Sequence, residues 1–233
     1  MLTVLDAFDV HQPFPDVSEA FDEPNGLLAV GGCLSPVRLQ NAYRCGIFPW
    51  FSDGDPILWW SPDPRMVLLP DELKISRSLR KTLRKVAFRY SYDCNFSGVL
   101  AACAAPRRDS KGTWITVEMM SAYRELHRMG MAHSFEVWLH HQLVGGLYGV
   151  AVGRVFYGES MFHRVDDASK AALVYAVDCL KRWNFELIDC KLHTTHLASL
   201  GANEISRRDY IDLLRRYCNQ PVDSSAWSTE QLS

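Results

Sequence analysis

Two acidic residues lie in strongly apolar segments of the chain. Asp189 lies in "FELIDCKL" and Glu159 lies in "FYGESMF". A carboxylate among apolar neighbours needs a partner or a chemical purpose, because removing its charge from water is costly. Both residues are therefore candidates for holding an amine or moving a proton, and a structural ion pair is the alternative for each.

A second chemically suggestive feature is a run of cations that contains no acid, "KISRSLRKTLRKVAFR". Some of its cations recur at positions i, i+3, i+4, i+7 and i+8, which places them on one side of a helix. They are Arg77, Arg80, Lys81, Arg84 and Lys85. Such a stripe suits the phosphate backbone of RNA, and a solvated helix face is the alternative. The formal net charge of -2 argues against a uniformly basic nucleic-acid binder.

The third feature is aromatic. Residues 46–65 read "GIFPWFSDGDPILWWSPDPR" and contain three tryptophans and two phenylalanines. The four prolines of this stretch exclude a single helix or strand. Aromatic rings either fill a core or form platforms on which unpaired bases stack. We interpret one group of these rings as core between two lobes: Trp59, Trp60, Phe48 and Phe51.

The histidines and cysteines do not suggest a metal site. His140 and His141 are adjacent and would point to opposite faces of a strand. His193 and His196 lack a second pair at ligand spacing. The seven cysteines are odd in number and form no CxxC pair, which is typical of free thiols in a reducing compartment. Because a signal peptide and a run of about 20 apolar residues are also missing, we expect a cytoplasmic protein without a metal or a membrane contact.

Two regions of different character must position these residues. Residues 1–63 are rich in proline and glycine and predict a small turn-rich domain, with one helix that begins after Ser35 and ends at Gly46. Residues 64–233 predict a larger domain of α+β structure. Its helices are expected in "SRSLRKTLRKV", "VEMMSAYRELHRMG", "DASKAALVYAVDCLKRWN" and "SRRDYIDLLRRYC". Three successive strands are expected in "HSFEVWLHHQLVGGLYGVAVGRVFYGES" and one more in "FELIDCKL".

Several of these segments carry a family resemblance. The blocks "EPNGLLAVGG", "LSPVRLQNAYRCGIFPWFSDGDPILWWSPDPR", "GTWIT", "FYGESMF", "ASKAAL", "LIDC" and "ASLGANEISRRDY" resemble the leucyl/phenylalanyl-tRNA–protein transferases of bacteria. The match runs from Glu23 to Tyr210, and its first two blocks are long and rich in rare residues. Coincidence is therefore a poor explanation of the match.

The resemblance implies both a fold and an activity. Members of this family have a small N-terminal domain followed by a domain like the acetyltransferases of the GNAT superfamily. They are aminoacyltransferases that move Leu, Phe or Met from aminoacyl-tRNA to the α-amino group of proteins beginning with Arg or Lys. The products enter Clp-dependent degradation by the N-end rule. Since the aminoacyl ester is already activated, no metal, CoA or other cofactor is expected, and we expect a monomer.

By the same resemblance, several residues receive roles. Asp189 would orient or deprotonate the incoming amine, and Glu159 would help to hold that amine and the aminoacyl-adenosine end. The two carboxylates would also attract a cationic N-terminus. The aromatic residues that would grip the 3′-terminal adenosine, directly or in support, are Trp50, Trp114, Tyr43 and Tyr123.

The aminoacyl side chain would enter an apolar pocket in the second half of the chain. The resemblance assigns its lining to Leu147, Phe156, Met161, Leu173 and Ile188. Ala176 and Leu180 occupy further pocket positions where relatives have bulky aromatic residues. We therefore expect a pocket of altered size.

Lys191 departs from the family, whose close relatives commonly have Gln two residues after the catalytic Asp. Positions two apart on a strand share a face, so the Lys191 ammonium could approach Asp189, lower its pKa and weaken it as a base. The ammonium would also repel a cationic acceptor. We therefore expect the flexible side chain to carry the charge away, toward a backbone carbonyl or an RNA phosphate.

Two other functions stay open at this point. A GNAT-like domain is also the fold of CoA-dependent N-acetyltransferases, which hold pyrophosphate on a glycine-rich loop that leads into a helix. The matching junction here, "SMFHRVDDASKAAL", has no glycine and carries Asp166 and Asp167, which would repel pyrophosphate. A non-catalytic RNA-binding module is the second alternative, and an assay of aminoacyl transfer would separate it from the enzyme.

Overall fold

A four-stranded sheet near the start of the chain supports the aromatic segment. The structure is a computed structural model, and it describes residues 1–106 and 115–228. The strand order is β1-β2-β4-β3, with β1 (Thr3–Leu5), β2 (Leu27–Gly31), β3 (Phe48–Pro49) and β4 (Leu58–Trp60). β1 and β2 are parallel, and the other two pairings are antiparallel. Because β3 and β4 both come from the aromatic segment, this sheet fixes the directions of its tryptophans.

Helix α1 (Pro36–Arg44) lies between β2 and β3, and it begins and ends as predicted. The hydroxyl of Ser35 accepts a hydrogen bond from the backbone N–H of Arg38 and so caps the first turn. After the helix the chain turns at Gly46, which has a φ of 75°. A Cβ at this position would lie 2.8 Å from the ring of Tyr210, so both the turn and the packing require glycine.

The residues described also form a larger sheet of seven strands, in the order β11-β5-β10-β9-β8-β7-β6. Its strands are β5 (Arg65–Leu68), β6 (Arg89–Tyr92), β7 (Ala132–Leu139), β8 (Gln142–Val152), β9 (Val155–His163), β10 (Leu187–Lys191) and β11 (Asn203–Ile205). The pair β9 and β10 is parallel, and the other neighbouring pairs are antiparallel. A parallel pair needs a crossover connection, and here a helix provides it.

Helices flank both faces of this sheet. They are α2 (Arg77–Lys85), α3 (Phe96–Ala104), α4 (Val117–Arg128), α5 (Ala168–Arg182), α6 (Thr195–Ser199) and α7 (Arg207–Tyr217). The predicted helices α2, α4, α5 and α7 and the predicted strands β7 to β10 are confirmed. α3 was not predicted, because its residues "FSGVLAACA" are apolar or small on nearly every side and give no amphipathic period.

Two groups of buried apolar residues pack on the faces of the larger sheet. One group surrounds α5. The other contains α1, α3, α4 and α7 and continues into the small sheet. Phe48, Phe51 and Trp59 are buried in this second group and Trp60 packs against it, so their prediction as core residues is confirmed, whereas their place between two lobes stays a prediction. The predicted α+β class is confirmed, whereas a domain boundary at residue 63 stays a prediction. Among the described helices, none is long and apolar enough to cross a membrane.

Candidate active site

A cavity of ≈ 1180 Å³ opens where β9 and β10 separate. The two parallel strands are paired only up to Tyr157 and Asp189. Beyond these residues β9 continues to His163 while β10 ends at Lys191. Residues 158–164 therefore line one side of the gap and residues 190–192 line the other. Diverging ends of parallel strands are a common place for a ligand, because groups from both strands face the same space. Within the described ranges, no group of three or more His, Cys, Asp or Glu residues could hold a metal ion.

The five residues assigned to the lining of the aminoacyl pocket line this cavity. They come from β8, β9, β10 and α5 and are Leu147, Phe156, Met161, Leu173 and Ile188. Leu180 also lies in the wall, whereas Ala176 does not. The structure thus brings the predicted set together as one apolar wall. Binding of an aminoacyl side chain against it stays a prediction.

Glu159 lies in the cavity wall with three donors around its carboxylate. β9 has a bulge relative to β8, and Glu159 is its extra residue. Oε1 accepts a hydrogen bond from the hydroxyl of Tyr43 at 2.7 Å, and Oε2 accepts one from the hydroxyl of Tyr123 at 2.8 Å. The ammonium of Lys191 also donates to Oε2. The carboxylate is therefore buried but fully compensated.

Tyr43 and Tyr123 lie behind Glu159 rather than in the cavity wall. Both side chains are buried and their hydroxyl oxygens are 2.8 Å apart. Burial, followed by the charge of Glu159, raises the pKa of each phenol well above its ordinary value, so both remain protonated donors. The two residues predicted to support the adenosine bind Glu159, and their support of the adenosine stays a prediction.

Asp189 is sealed inside the protein. Both of its carboxylate oxygens bind the guanidinium of Arg65, with Nε 2.9 Å from Oδ1 and Nη2 2.7 Å from Oδ2. The hydroxyl of Tyr210 donates to Oδ2 at 2.8 Å and the backbone N–H of Lys191 donates to Oδ1 at 2.8 Å. Asp189 is 0% exposed and does not line the cavity.

This environment makes Asp189 a weak base. Burial alone would raise the pKa of its carboxyl, but the charge and hydrogen bonds of Arg65 outweigh burial and hold the pKa below its ordinary value. A low pKa and the lack of access to the cavity both oppose direct proton removal from a substrate. The assignment of Asp189 to the catalytic step therefore stays a prediction, and its surroundings favour a positioning role.

Lys191 turns away from Asp189 because the strand alternation breaks at this point. The pairing register with β5 shifts between Asp189 and Lys191, and Lys191 has a φ of 63°. Its ammonium binds the carboxylate of Glu159, a partner not predicted from the sequence, and lies 4.9 Å from the ring centre of Phe48. The expected shared face of Asp189 and Lys191 is therefore wrong, although the charge of Lys191 does contribute to lowering the pKa of Asp189, as expected. Asp189 pairs with Arg65, and Glu159 pairs with Lys191. The expected pair of uncompensated carboxylates, which would attract a cationic N-terminus, is therefore also absent from the described part of the chain.

Trp50 lies at the mouth of the cavity. It is 42% exposed and forms part of the wall. The indole N–H of Trp60 donates to the backbone carbonyl of Trp50 at 2.7 Å, and the two rings are 5.6 Å apart. Trp50 therefore presents a supported and accessible ring, which is what base stacking requires. Trp114, its predicted partner, lies outside the described residues.

The predicted basic stripe is the outer face of α2. All its cations are exposed, and none forms an ion pair with any residue of the described ranges. The hydroxyl of Thr82 on the same helix donates to the carboxylate of Asp167 at 3.0 Å, and the neighbouring Asp166 lines the cavity. This contact connects the stripe to the cavity rim. Phosphate binding by the stripe stays a prediction.

Arg65 and Tyr210, which hold Asp189, were not predicted as site residues. They lie far from Asp189 in the chain, and Arg65 has no special spacing relative to it. The available signal was their place at the ends of two blocks of the family resemblance, "SPDPR" and "SRRDY". A buried acid needs charged or hydrogen-bonding partners, and these blocks contain one basic and one phenolic donor at their ends.

Comparison with known proteins covers nearly the whole chain. A family model described as "Leucyl/phenylalanyl-tRNA protein transferase" matches residues 67–215, and one described as the N-terminal domain of that transferase matches residues 32–63. The chain is 59% identical over 227 residues to the leucyl/phenylalanyl-tRNA–protein transferase of Methylococcus capsulatus, with 97% of each chain covered. It is 61% identical over 214 residues to that of Nitrosospira multiformis, with 92% of each chain covered. Among solved structures, a GCN5-related N-acetyltransferase from Kribbella flavida is 10% identical with a TM-score of 0.38, over 70% of this chain and 58% of that one.

Proposed function

Because this chain belongs to the leucyl/phenylalanyl-tRNA–protein transferase family, we propose that it moves Leu, Phe or Met from aminoacyl-tRNA to the α-amino group of proteins beginning with Arg or Lys. The observation that carries the proposal is the cavity, where an apolar wall, the pair of Glu159 and Lys191, and the exposed ring of Trp50 meet. The product is a degradation signal, made in the cytoplasm by a monomer without a cofactor.

The aminoacyl end of the tRNA fits two parts of the cavity. The terminal adenine stacks on Trp50, since an exposed and supported indole holds an unpaired base. The aminoacyl side chain enters the apolar wall that includes Leu147 and Ile188. The basic stripe of α2 contacts phosphates of the acceptor stem, because its cations are exposed and have no acidic partner among the described residues.

The chemistry requires mainly positioning and charge stabilisation, because the ester is already activated. The acceptor amine attacks the ester carbonyl, whose oxygen gains negative charge. The ester bond to the ribose oxygen then breaks, and the amine proton ends on that oxygen. The Lys191 ammonium in the cavity wall stabilises the developing negative charge. Glu159 holds the amine through the acceptor site on Oε1 that its three donors leave open.

Asp189 acts through other residues rather than on the substrate. Its carboxylate accepts a hydrogen bond from the backbone N–H of Lys191 and another from the Arg65 guanidinium. These bonds fix the bulge that turns the side chain of Lys191 into the cavity wall. We therefore assign Asp189 a positioning role.

The acceptor needs a site for a cationic first residue. Asp166 is exposed at the rim of the cavity and lines it. An acceptor bound in this cavity would present its Lys or Arg side chain to a wall in which Asp166 supplies the opposite charge. Asp166 therefore supports the preference for acceptors that begin with Arg or Lys.

The start of α5 is a poor site for the pyrophosphate of CoA. Asp167 directly precedes this helix with a φ of 61°, and its carboxylate binds Lys170 and Thr82 rather than the N–H groups of the first turn. The hydrogen bond from Lys170 is the main cause that lowers the pKa of Asp167, so this carboxylate is ionised at neutral pH. A negative charge at a helix N-terminus opposes phosphate binding there. This observation favours aminoacyl transfer over acetyl transfer.

The test is transfer of labelled leucine from leucyl-tRNA to a peptide that begins with Arg, using the purified chain. We expect a labelled peptide, and none when the same peptide is N-acetylated, because its blocked amine cannot attack. Binding of leucyl-tRNA without transfer would instead indicate a non-catalytic RNA-binding module. Acetylation of the peptide from acetyl-CoA would indicate an N-acetyltransferase.

A further inference from the structure

One buried hydroxyl in the cavity wall has no part in the chemistry described above. Tyr148 of β8 is 0% exposed and lines the cavity. Its hydroxyl has no hydrogen-bond partner among the residues that the structure describes. A buried hydroxyl without a partner destabilises a folded protein, so such groups are rare and call for an explanation.

Packing fixes the ring of Tyr148, whereas its hydroxyl forms no hydrogen bond within the described residues. The ring makes edge-to-face contacts with Tyr123 at 5.3 Å and with Phe96 at 6.0 Å, measured between ring centres. Glu159 is close enough to influence the phenol, but three other donors already bind its carboxylate. Packing thus holds the side chain beside the reactive part of the cavity without giving its hydroxyl a bond.

The α3 side of the cavity adds small side chains to the wall. Ala102 and Cys103, in the last turn of α3, and Ala105, directly after that helix, line the same cavity. Small side chains let a ligand approach more closely than large ones would. A substrate that fills the cavity would therefore lie against this wall, and it would meet the buried hydroxyl once these small side chains shift.

The ionisation state of Tyr148 restricts what its hydroxyl can bind. Burial, followed by the charge of Glu159, raises its pKa well above the ordinary value. The phenol is therefore protonated at neutral pH and available as a donor. Its natural partner is an oxygen with a free lone pair.

We propose that the Tyr148 hydroxyl donates a hydrogen bond to an oxygen of the aminoacyl-adenosine end of the tRNA, either a ribose hydroxyl or the acyl carbonyl. This inference rests on the proposed function, because that function supplies the aminoacyl-adenosine. It adds a substrate-binding residue to the site. Tyr148 differs in this respect from Tyr43 and Tyr123, whose hydroxyls already bind Glu159.

The test measures binding of a hydrolysis-resistant leucyl-adenosine, in which an amide replaces the ester, to the full chain. Tyr148→Phe removes only the hydroxyl and should raise the Kd about three- to tenfold, the effect of one neutral hydrogen bond. The melting temperature should stay constant or rise by about 2–4 °C, because an unpaired buried group has been removed.

A 2′-deoxy version of the probe distinguishes the two candidate oxygens, the ribose 2′-hydroxyl and the acyl carbonyl. The effect of the substitution vanishes with this probe if the 2′-hydroxyl is the partner and persists if the carbonyl is.

Tyr157→Phe is the matched control. The Tyr157 hydroxyl donates to the backbone carbonyl of Tyr43 at 2.8 Å, and Tyr157 does not line the cavity. Its substitution should lower the melting temperature and leave the Kd of the probe unchanged. If Tyr148→Phe bound both probes as the parent does, or lost as much thermal stability as Tyr157→Phe, the proposal would be overturned. A parent chain that fails to transfer leucine would refute the proposed function instead, so the two failures are distinguishable.

Discussion

The two buried ion pairs of this protein differ in their surroundings. The side chains of Arg65 and Asp189 are 1% and 0% exposed and lie outside the cavity wall. Those of Lys191 and Glu159 are 11% and 0% exposed, and both residues line the cavity. The first pair, the sealed pair, has all its partners inside the protein. The second, the cavity pair, borders the space that a substrate would fill.

This difference changes how the two acids are understood. Both are buried, so burial by itself does not distinguish a residue that touches the substrate from one that shapes the site. Their position relative to the cavity does distinguish them, because Glu159 belongs to the cavity wall and pairs with the partly exposed Lys191, whereas Asp189 lies outside the wall. The sealed pair is therefore expected to affect stability first, and the cavity pair is expected to affect transfer first.

The largest expected effect is on stability, from Asp189→Asn. This substitution keeps the shape of the side chain but leaves the Arg65 guanidinium buried without its counter-charge. Removing one partner of such a pair costs about 3–5 kcal/mol in the free energy of unfolding. Denaturant unfolding of the parent and the variant measures the difference. A loss below about 1 kcal/mol, typical of a surface pair, would show that this pair is not sealed.

The pH dependence of stability provides a control for that interpretation. Burial would raise the pKa of Asp189, but Arg65 lowers it below the value in the unfolded chain. The ionised carboxylate therefore stabilises the fold above its unfolded-state pKa of about 3.9, and this contribution is lost as the pH falls through the lower folded-state pKa. The stability difference between the parent and Asp189→Asn should shrink over that acidic range. A difference that is constant with pH would assign the effect to lost packing.

The second largest effect is expected on catalysis, from Glu159→Gln. Transfer of leucine to an Arg-starting peptide should slow about a hundredfold, or about 2.7 kcal/mol in the barrier, because the charge that holds the amine is lost. Stability should fall less than in Asp189→Asn, because Lys191 is partly exposed at the cavity. Measurement of kcat/KM and of denaturant unfolding on the same preparation compares the two effects. A variant that unfolds as easily as Asp189→Asn yet transfers at the parent rate would reverse the roles of the two pairs.

The sequence predicted the elements that carry both pairs but not the pairs themselves. α5, α7, β9 and β10 have clear periodic patterns, and the structure confirms them. Arg65 and Asp189 meet across 124 residues of chain, a contact that no local pattern specifies. The position of Lys191 was predicted wrongly for a local reason, since a bulge and a positive φ break the alternation on which the prediction depended. Long-range pairing and backbone irregularity are therefore what the sequence left undetermined here.

The tryptophans repeat the contrast between sealed and cavity-lining residues. Trp50 lines the cavity and Trp59 is fully buried, with its indole N–H donating to the backbone carbonyl of Gly31 at 2.9 Å. Trp50→Ala should weaken binding of the leucyl-adenosine probe by about 1–3 kcal/mol, the contribution of one stacked base. Trp59→Ala should mainly lower the melting temperature. Calorimetric titration and thermal unfolding of both variants test this, and the reverse pattern would exchange the two assignments.

The basic stripe is the opposite extreme from the sealed pair, because its charges are exposed and have no ion-pair partner in the described ranges. Replacing Arg80 and Arg84 together with Ala should weaken tRNA binding and reduce the slope of log K against log salt by about 1–2 units, since two phosphate contacts are lost. The melting temperature should hardly change. Titrations of tRNA at several salt concentrations measure the slope, and an unaltered slope would assign the stripe to a solvated surface.

The smallest effect is expected at the cavity pair itself, from Lys191→Gln. Gln loses the charge of the ammonium but keeps an N–H donor that can reach the acyl oxygen and Glu159. Transfer to an Arg-starting peptide should therefore stay within about tenfold of the parent, or about 1.4 kcal/mol in the barrier.

Lys191→Met is the matched control, because it has a similar length and no N–H donor at its end. It should slow transfer about a hundredfold or more, as the loss of a donor to a developing negative charge does. The kcat values of the parent, Lys191→Gln and Lys191→Met show whether the reaction needs the charge of Lys191, only an N–H donor, or neither. A hundredfold loss in Lys191→Gln would show that the reaction needs the charge itself. Equal kcat values for the Met and Gln variants would show that Lys191 only balances Glu159, and the stabilisation of the acyl oxygen would then have to come from another donor in the cavity wall.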